Sequence, residues 1–311
     1  MIEPALEART IVVSDSDTAV AVADAQRVPA VAAYMALTKP KQTALLLATG
    51  IGAYILTASP QVEWLRFALG IIALALAVSG CTALNMVLDR DIDAKMGRTA
   101  RRPLPSGDMS AASALVFALA LSIVGLAIAW SLSAAFGAVV SAGFFFDLVI
   151  YTMWLKRRTP LSIVFGGISG GMPALAGRVL ALGRVDAVGA LLAAGVVLWI
   201  PAHILTLSTR YQTEYAAAGV PVWPGVFGPD ATRRVVAVGT MLSTVVLTAA
   251  GVIEHIGSGA LAALVGIGVV LDVVAIAALV RPSESWNWML FKTASIYMLA
   301  AFACLTLGAV L

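Results

Sequence analysis

The chain has 311 residues, 60% hydrophobic and only 12% charged, with a mean hydropathy of +0.95 and a formal net charge of +3. Soluble domains run at roughly 45–50% apolar and about 25% charged residues. So few charges cannot cover a water-facing surface, so the composition excludes an ordinary soluble globule and indicates a polytopic membrane protein. The two cysteines, Cys81 and Cys304, both lie in apolar stretches, which excludes a disulfide scaffold and a multi-cysteine zinc site.

Residues 1–34 carry Glu3, Glu7, Asp15, Asp17 and Asp24 against Arg9 and Arg27. With neither a basic start nor an apolar core, the segment does not read as a signal peptide. It reads as a disordered acidic tail ahead of a single transmembrane domain over 35–311. A helix needs about 20 apolar residues to cross a bilayer. Nine such runs follow, near 42–58, 66–88, 111–130, 133–155, 161–182, 186–207, 234–254, 259–280 and 288–310. The expected fold class is therefore all-α.

Basic residues set the orientation of such a chain. With nine spans, 17 of the 20 Lys and Arg residues fall on one side, and only Arg66, Arg178 and Arg184 on the other. The N-terminus and the loops after spans 2, 4, 6 and 8 are thus expected to face the cytoplasm. An internal echo accompanies the count. Span 1 starts after Thr38-Lys39-Pro40 and span 5 after Arg158-Thr159-Pro160, and polar clusters follow spans 2 and 6. Two four-helix units plus a ninth helix would produce this pattern.

The densest polar cluster is Asn85-Met-Val-Leu-Asp89-Arg90-Asp91-Ile-Asp93, at the cytoplasmic end of span 2. Residues four apart share a helical face, so Asn85, Asp89 and Asp93 form one stripe about 12 Å long. Unpaired acids at this spacing repel, and a cation must offset the cost. Hard oxygen ligands suit Mg²⁺, which binds through one or two carboxylates plus substrate phosphates. The plainer alternative is a solvated helix end neutralised locally by Arg90 and Lys95. The next residues, Arg98-Thr-Ala-Arg101-Arg102-Pro-Leu-Pro-Ser-Gly107, form a basic loop stiffened by two prolines. Arginine forks match phosphate oxygens, so acid stripe and basic loop together suit a diphosphate substrate.

These motifs resemble the UbiA superfamily of intramembrane prenyltransferases, through Asn-x-x-x-Asp-x-x-x-Asp followed by Arg-Thr-x-x-Arg-Pro-Leu. Two further blocks are similar to its haem-farnesylating branch. One is Tyr151-Thr-Met-Trp-Leu-Lys156-Arg157-Arg158-Thr-Pro160 with Gly166-Gly167 and Pro173. The other is Pro201-Ala-His203 with Glu214-Tyr-Ala-Ala-Ala-Gly219-Val-Pro221. Together the blocks cover roughly residues 80–225. Departures from the branch pattern stand at Ser162, Ala174, Arg178, Ala202, Ile204, Leu205 and Glu214.

The resemblance implies a nine-helix UbiA-like bundle and Mg²⁺-dependent transfer of a farnesyl group from farnesyl diphosphate to haem b, giving haem O. A quinone precursor or another ring acceptor is the nearer alternative. On this reading Asn85, Asp89, Asp93 and Glu214 hold the metal, and Arg98, Arg102, Tyr151, Lys156, Arg157 and Arg210 bind diphosphate. The catalytic set is Asn85, Asp89, Asp93, Lys156 and His203. Because imidazole prefers softer metals than Mg²⁺, His203 is read as an acid/base or acceptor-orienting group. Lipid bilayer is an implied partner, nucleic acid is not, and association with terminal-oxidase assembly or haem A synthase is implied for an inner-membrane enzyme. Two acids lie inside spans. Asp147 is four residues before Tyr151 and so on its helical face, placed either to bond it or to act as a base; Asp272 has no evident partner in sequence. The rival class is a secondary transporter. Transporters place coupling residues near the midplane, whereas the acids of span 2 sit at its edge.

Overall fold

A computed structural model describes residues 29–311, all of whose regular structure is helical. The acidic tail lies outside the described residues up to residue 28. Its last residues, 30–34, belong instead to a short helix, α1 (Ala30–Leu37), held because Ala33 and Leu37 are buried and Tyr34 meets the edge of Phe117. The long helices follow as α2 (Pro40–Ala58), α3 (Trp64–Leu88), the one-turn α4 (Arg90–Asp93), α5 (Ala111–Leu132), α6 (Ala134–Leu155) and α7 (Ser162–Leu182). Then come α8 (Ala187–Arg210), the short α9 (Gln212–Ala217), α10 (Trp223–Ile253), α11 (Ser258–Val280) and α12 (Glu284–Val310).

Eight of these helices are long and apolar enough to cross a membrane. The ninth expected span, α2, has 19 residues and reaches about 28 Å. It carries Gln42, Thr43, Thr49 and Thr57 and is more polar than the rest because it lies inside the bundle, where Thr43, Thr49, Gly50, Gly52, Ala53, Tyr54 and Leu56 are buried. The nine-span architecture is thus an all-helical bundle whose central member is the least greasy.

Two apolar clusters divide the bundle. One joins α2, α3, α5, α6 and α7 through Tyr54, Ala73, Leu74, Ala129, Phe136 and Leu180. The other joins α2, α7, α8, α10, α11 and α12 through Ala53, Ala174, Leu192, Leu247, Leu271 and Ala294. Helices α2 and α7 belong to both and form the seam. They cross at Gly50 and Gly177, so closely that a Cβ on Gly177 would lie 2.0 Å from the Gly50 carbonyl oxygen. Small residues permit such backbone contact in lipid, where packing replaces the hydrophobic drive.

The echo seen in the sequence has a structural counterpart. Helix α3 breaks at Asp89 (φ −95°, ψ 5°) and restarts as α4; α8 breaks at Tyr211 (φ −108°, ψ 19°) and restarts as α9. Each short helix opens with acids, Asp91 and Asp93 in one and Glu214 in the other. At the opposite end of the bundle Arg178 ties α7 to its neighbours, bonding Asp186 at 2.6 Å, Glu254 at 2.8 Å and Thr57 Oγ1 at 3.1 Å. The arginine that departs from the branch pattern therefore arrives with two carboxylates that satisfy it.

The helix crossing gives a direct test. Gly177→Ala must push a Cβ into backbone, an overpacking cost of about 1–3 kcal/mol. Gly259, with nothing within 4 Å of its Cβ position, tolerates the same change. Thermal unfolding of the detergent-solubilised variants is expected to show a lower midpoint for Gly177→Ala only; equal midpoints would contradict the crossing.

Candidate active site

The acidic stripe of α3 and α4 faces inward and is closed by one cation 67 positions away and by another from the loop that follows it. Asn85, Asp89 and Asp93 are 7%, 1% and 4% exposed. Lys156 at the end of α6 donates a short hydrogen bond to Asp89 Oδ2, and Arg102 Nη1 donates to Asp93 Oδ2 at 2.6 Å. Asn85 Nδ2 donates to Thr152 Oγ1 at 2.7 Å, and Asn85 Oδ1 accepts from Lys39 Nζ at 3.3 Å. The stripe is a ladder whose rungs are Asn85, Asp89 and Asp93, each with its own partner. Arg90 and Lys95, the local neutralisers of the plainer reading, point to the exposed side instead.

The end of α6 owes its geometry to a wide turn. Residues Phe146–Leu155 form a π-helix, with Lys156 N–H donating to the Tyr151 carbonyl oxygen at 2.8 Å and Thr152 Oγ1 donating to the Asp147 carbonyl oxygen at 2.8 Å. Five-residue spacing sets Lys156 above Tyr151, so the ammonium lies 5.6 Å from the Tyr151 ring centroid. Asp147, four residues before Tyr151, makes no hydrogen bond to it. Asp147 instead accepts from Cys81 Sγ at 3.3 Å and from Ser169 Oγ at 3.4 Å. A second π segment, Pro201–Leu205, lies in α8 and carries His203. Such insertions concentrate at functional sites because they turn side chains away from the regular helical faces.

His203 is held as a flat plate. Its ring stacks between Trp199 (4.9 Å) and Phe291 (4.7 Å), and Nδ1 meets Ser295 Oγ at 3.1 Å. Trp288 stacks on Phe291 in turn, and the Arg210 guanidinium sits 4.6 Å from the Trp288 centroid. Arg210 thus caps this aromatic column, 3.9 Å from Glu284, rather than joining the acid ladder.

The segment after α8 does return to the first acidic segment. Glu214 Oε2 accepts from the backbone N–H of Arg98 at 3.2 Å, and Arg98 reaches Tyr215 and lies over the Tyr211 ring. Ile92 and Met96 pack with Ala218, Val220 and Val222 beneath this contact. Arg157 is a brace: it forks onto both oxygens of Asp91 at 2.7 Å and donates to the Leu88 carbonyl oxygen at 3.0 Å. That fork holds the Asp91 carboxyl down at about 2.

Electrostatics sharpen the site. Burial disfavours a charged Lys156, yet Tyr151 and Asp89 outweigh it and hold this lysine above its ordinary range. Lys39 is lowered to about 8, first by burial and then by Arg102. Sequence reasoning used Lys39 only as a marker of orientation. Lys39 stands as the left-handed N-cap of α2 (φ 44°), and its ammonium reaches inward to Asn85 Oδ1.

Asp89 Oδ1 is buried without a hydrogen-bond partner, 4.0 Å from Arg157 Nη2. An orphaned carboxylate oxygen in a dry site is costly unless something positive visits it. Among the described residues no group of three or more His, Cys, Asp or Glu side chains is close enough to cage a metal. The donors nevertheless fit an ion such as Mg²⁺, which takes one or two carboxylates and leaves its other positions to substrate oxygens and water. Chemically, the arrangement can exchange internal ion pairs for a polyanion and its counter-ion.

Residues 45–306 match the profile of the UbiA prenyltransferase family. A protein of Korarchaeum cryptofilum named protoheme IX farnesyltransferase is 44% identical over 208 residues, 67% of this chain and 70% of that one. One of the same name from Thermofilum pendens is 38% identical over 279 residues, 87% and 96% of the two chains. Among solved structures, a digeranylgeranylglyceryl phosphate synthase superposes with a TM-score of 0.75 at 18% identity, covering 90% of this chain and 98% of the other. A UbiA homologue from Archaeoglobus fulgidus bound to DMAPP and Mg²⁺ gives a TM-score of 0.66 at 14% identity, covering 88% and 98%. The acid ladder, the nine-helix bundle and these matches agree, and the chain belongs to the UbiA prenyltransferase family.

Proposed function

We propose that this prenyltransferase moves a farnesyl group from farnesyl diphosphate to a vinyl group of protohaem IX, giving haem O. The observation that carries the reading is the ladder: two buried acids, each closed by a cation that a diphosphate can claim. The names of the relatives at 44% and 38% identity support this acceptor over a quinone precursor.

Lys156 and Arg102, now on Asp89 and Asp93, turn to the diphosphate oxygens, and Lys39 and Arg98 add positive charge around them. Arg157 keeps Asp91 and the end of α3 fixed while they move. Asn85, Asp89 and Asp93 are then free to hold Mg²⁺, with Glu214 on the opposite segment as a further oxygen donor. When bound, the ion neutralises charge on the leaving diphosphate. Cations preset where negative charge develops lower the barrier to C–O heterolysis, and the apolar helices exclude water from the allylic cation. Tyr151 backs Lys156, and the stacked His203 presents its Nε2 edge to orient the acceptor. Arg210 supports this column through Trp288. The excess of basic residues at this end supports a site and an N-terminus on the cytoplasmic side of the cell membrane, with residues 35–311 acting as one unit.

In vesicles supplied with farnesyl diphosphate, protohaem IX and Mg²⁺, the chain is expected to make haem O, measured by mass spectrometry. Asp89→Asn is expected to lose about a hundredfold or more in turnover while still inserting; full activity would contradict the assignment. A pH series isolates Lys39. Its ammonium loses charge as pH rises through about 8, so the KM for farnesyl diphosphate rises above that pH. Lys39→Arg, charged throughout, is expected to flatten the rise; an unchanged profile would exclude Lys39 from diphosphate binding.

A further inference from the structure

We propose that Asp147 is the proton acceptor of the step that captures the prenyl cation. The inference rests on the prenyl-transfer reading above. Cys81, Asn85, Asp89 and Asp93 are four apart on one face, and Asp147 is the partner of the deepest of them. Asp147 therefore forms the floor of the ladder, about 6 Å below Asn85 and about 12 Å below Asp89. Its flanking residues Phe145 and Val149 are exposed on the outer surface, whereas Asp147 turns inward to Cys81 of α3 and Ser169 of α7.

Its partners distinguish it from the two acids above. Asp89 and Asp93 each bind a cation, but Asp147 has no ion pair within 4.0 Å among the described residues. Its donors are a thiol at 3.3 Å and a hydroxyl at 3.4 Å whose better bond, 2.7 Å, goes to the Gly166 carbonyl oxygen. The groups that face it are Cys81, Ser169, Lys39 across the ladder and Tyr151 on its own helix, the last two felt through space. A carboxylate so lightly held inside a membrane is expensive to keep and is placed for chemistry.

The reaction requires such an acceptor. Heterolysis sends the C1–O electron pair to the diphosphate. Acceptor π electrons then form the C–C bond to C1 and leave positive charge on the acceptor. Water adds there, forming a C–O bond, and one of its protons must leave. The diphosphate is held at the level of Asp89, about two turns higher. Asp147 takes the proton from the added water and surrenders it as product departs. Without that base, water addition reverses, the new C–C bond breaks to return its electrons to the acceptor and the charge to C1, and water adds at C1, losing a proton to bulk solvent, to give farnesol.

The test uses the full chain in vesicles with farnesyl diphosphate, protohaem IX and Mg²⁺, following diphosphate release and prenylated haem in parallel. For Asp147→Asn, product formation is expected to fall about a hundredfold while diphosphate release continues, farnesol making up the difference. Asp147→Glu is expected to restore coupling, and Cys81→Ala, which leaves the carboxylate, to keep one diphosphate per product. Parallel loss of release and product in Asp147→Asn would overturn the proposal, as would product at the wild-type rate or lost binding of farnesyl thiodiphosphate. A wild-type chain that releases no diphosphate would instead defeat the prenyl-transfer reading itself.

Discussion

Everything in this bundle is arranged around two ion pairs that have no water to fall back on. Asp89 and Asp93 are almost fully buried, and each is neutralised by one cation, Lys156 at the end of α6 or Arg102 in the adjoining loop. Desolvating two such pairs costs several kcal/mol per ion, and Coulomb attraction returns it only with good geometry. The structure leaves one oxygen of Asp89 without a partner even so. A site in this condition stores no tight grip on either the acids or the cations. A ligand that brings both negative charge and a counter-ion can replace all of these contacts at once.

The rest of the fold serves that exchange. Close crossing of α2 and α7 at Gly50 and Gly177 sets the seam on which the two helical halves meet, and α3 and α6 pack together within one of those halves. The π turn at the end of α6 then aims Lys156 at Asp89 and lowers Asp147 to the floor of the ladder. On the other half, the π turn of α8 and the stacked column fix His203. On the proposed function, rigid framing with exchangeable salt bridges suits an enzyme that binds a diphosphate anion and then releases it. Arg157 on Asp91 and Arg178 on Asp186 and Glu254 hold the two ends of the bundle while the centre rearranges.

Much of this was legible in the sequence, and the parts that were not share a cause. Hydropathy and the distribution of Lys and Arg gave the spans because lipid imposes length and polarity on every helix. Four-residue spacing placed Asn85, Asp89 and Asp93 on one face because the hydrogen bonds from Asp89 N–H to Asn85 and from Asp93 N–H to Asp89 carry the helical spacing across the break between α3 and α4. The polar central span, α2, is recognisable once its buried threonines are seen to face protein rather than lipid. Lys156–Asp89 is separated by 67 positions, and no local pattern encodes such a pairing. The π segments look like ordinary apolar helix, and nothing local shows that Asp147 bonds Cys81 and Ser169 rather than Tyr151. The resemblance assigned Arg157 and Arg210 to the diphosphate; in the structure one is engaged by Asp91 and the other lies over Trp288. Lys39 was hidden behind its role as a positive-inside charge.

If the ion pairs must be traded for substrate and metal together, binding of the two is coupled, and the coupling is reciprocal. Calorimetric titration of farnesyl thiodiphosphate, a slowly reacting analogue, with and without Mg²⁺ measures it directly. The expected result is weak binding of either partner alone and binding tighter by about tenfold or more when the other is present. Tight Mg²⁺ binding without the diphosphate, or diphosphate affinity indifferent to Mg²⁺, would contradict the exchange on which the whole account stands.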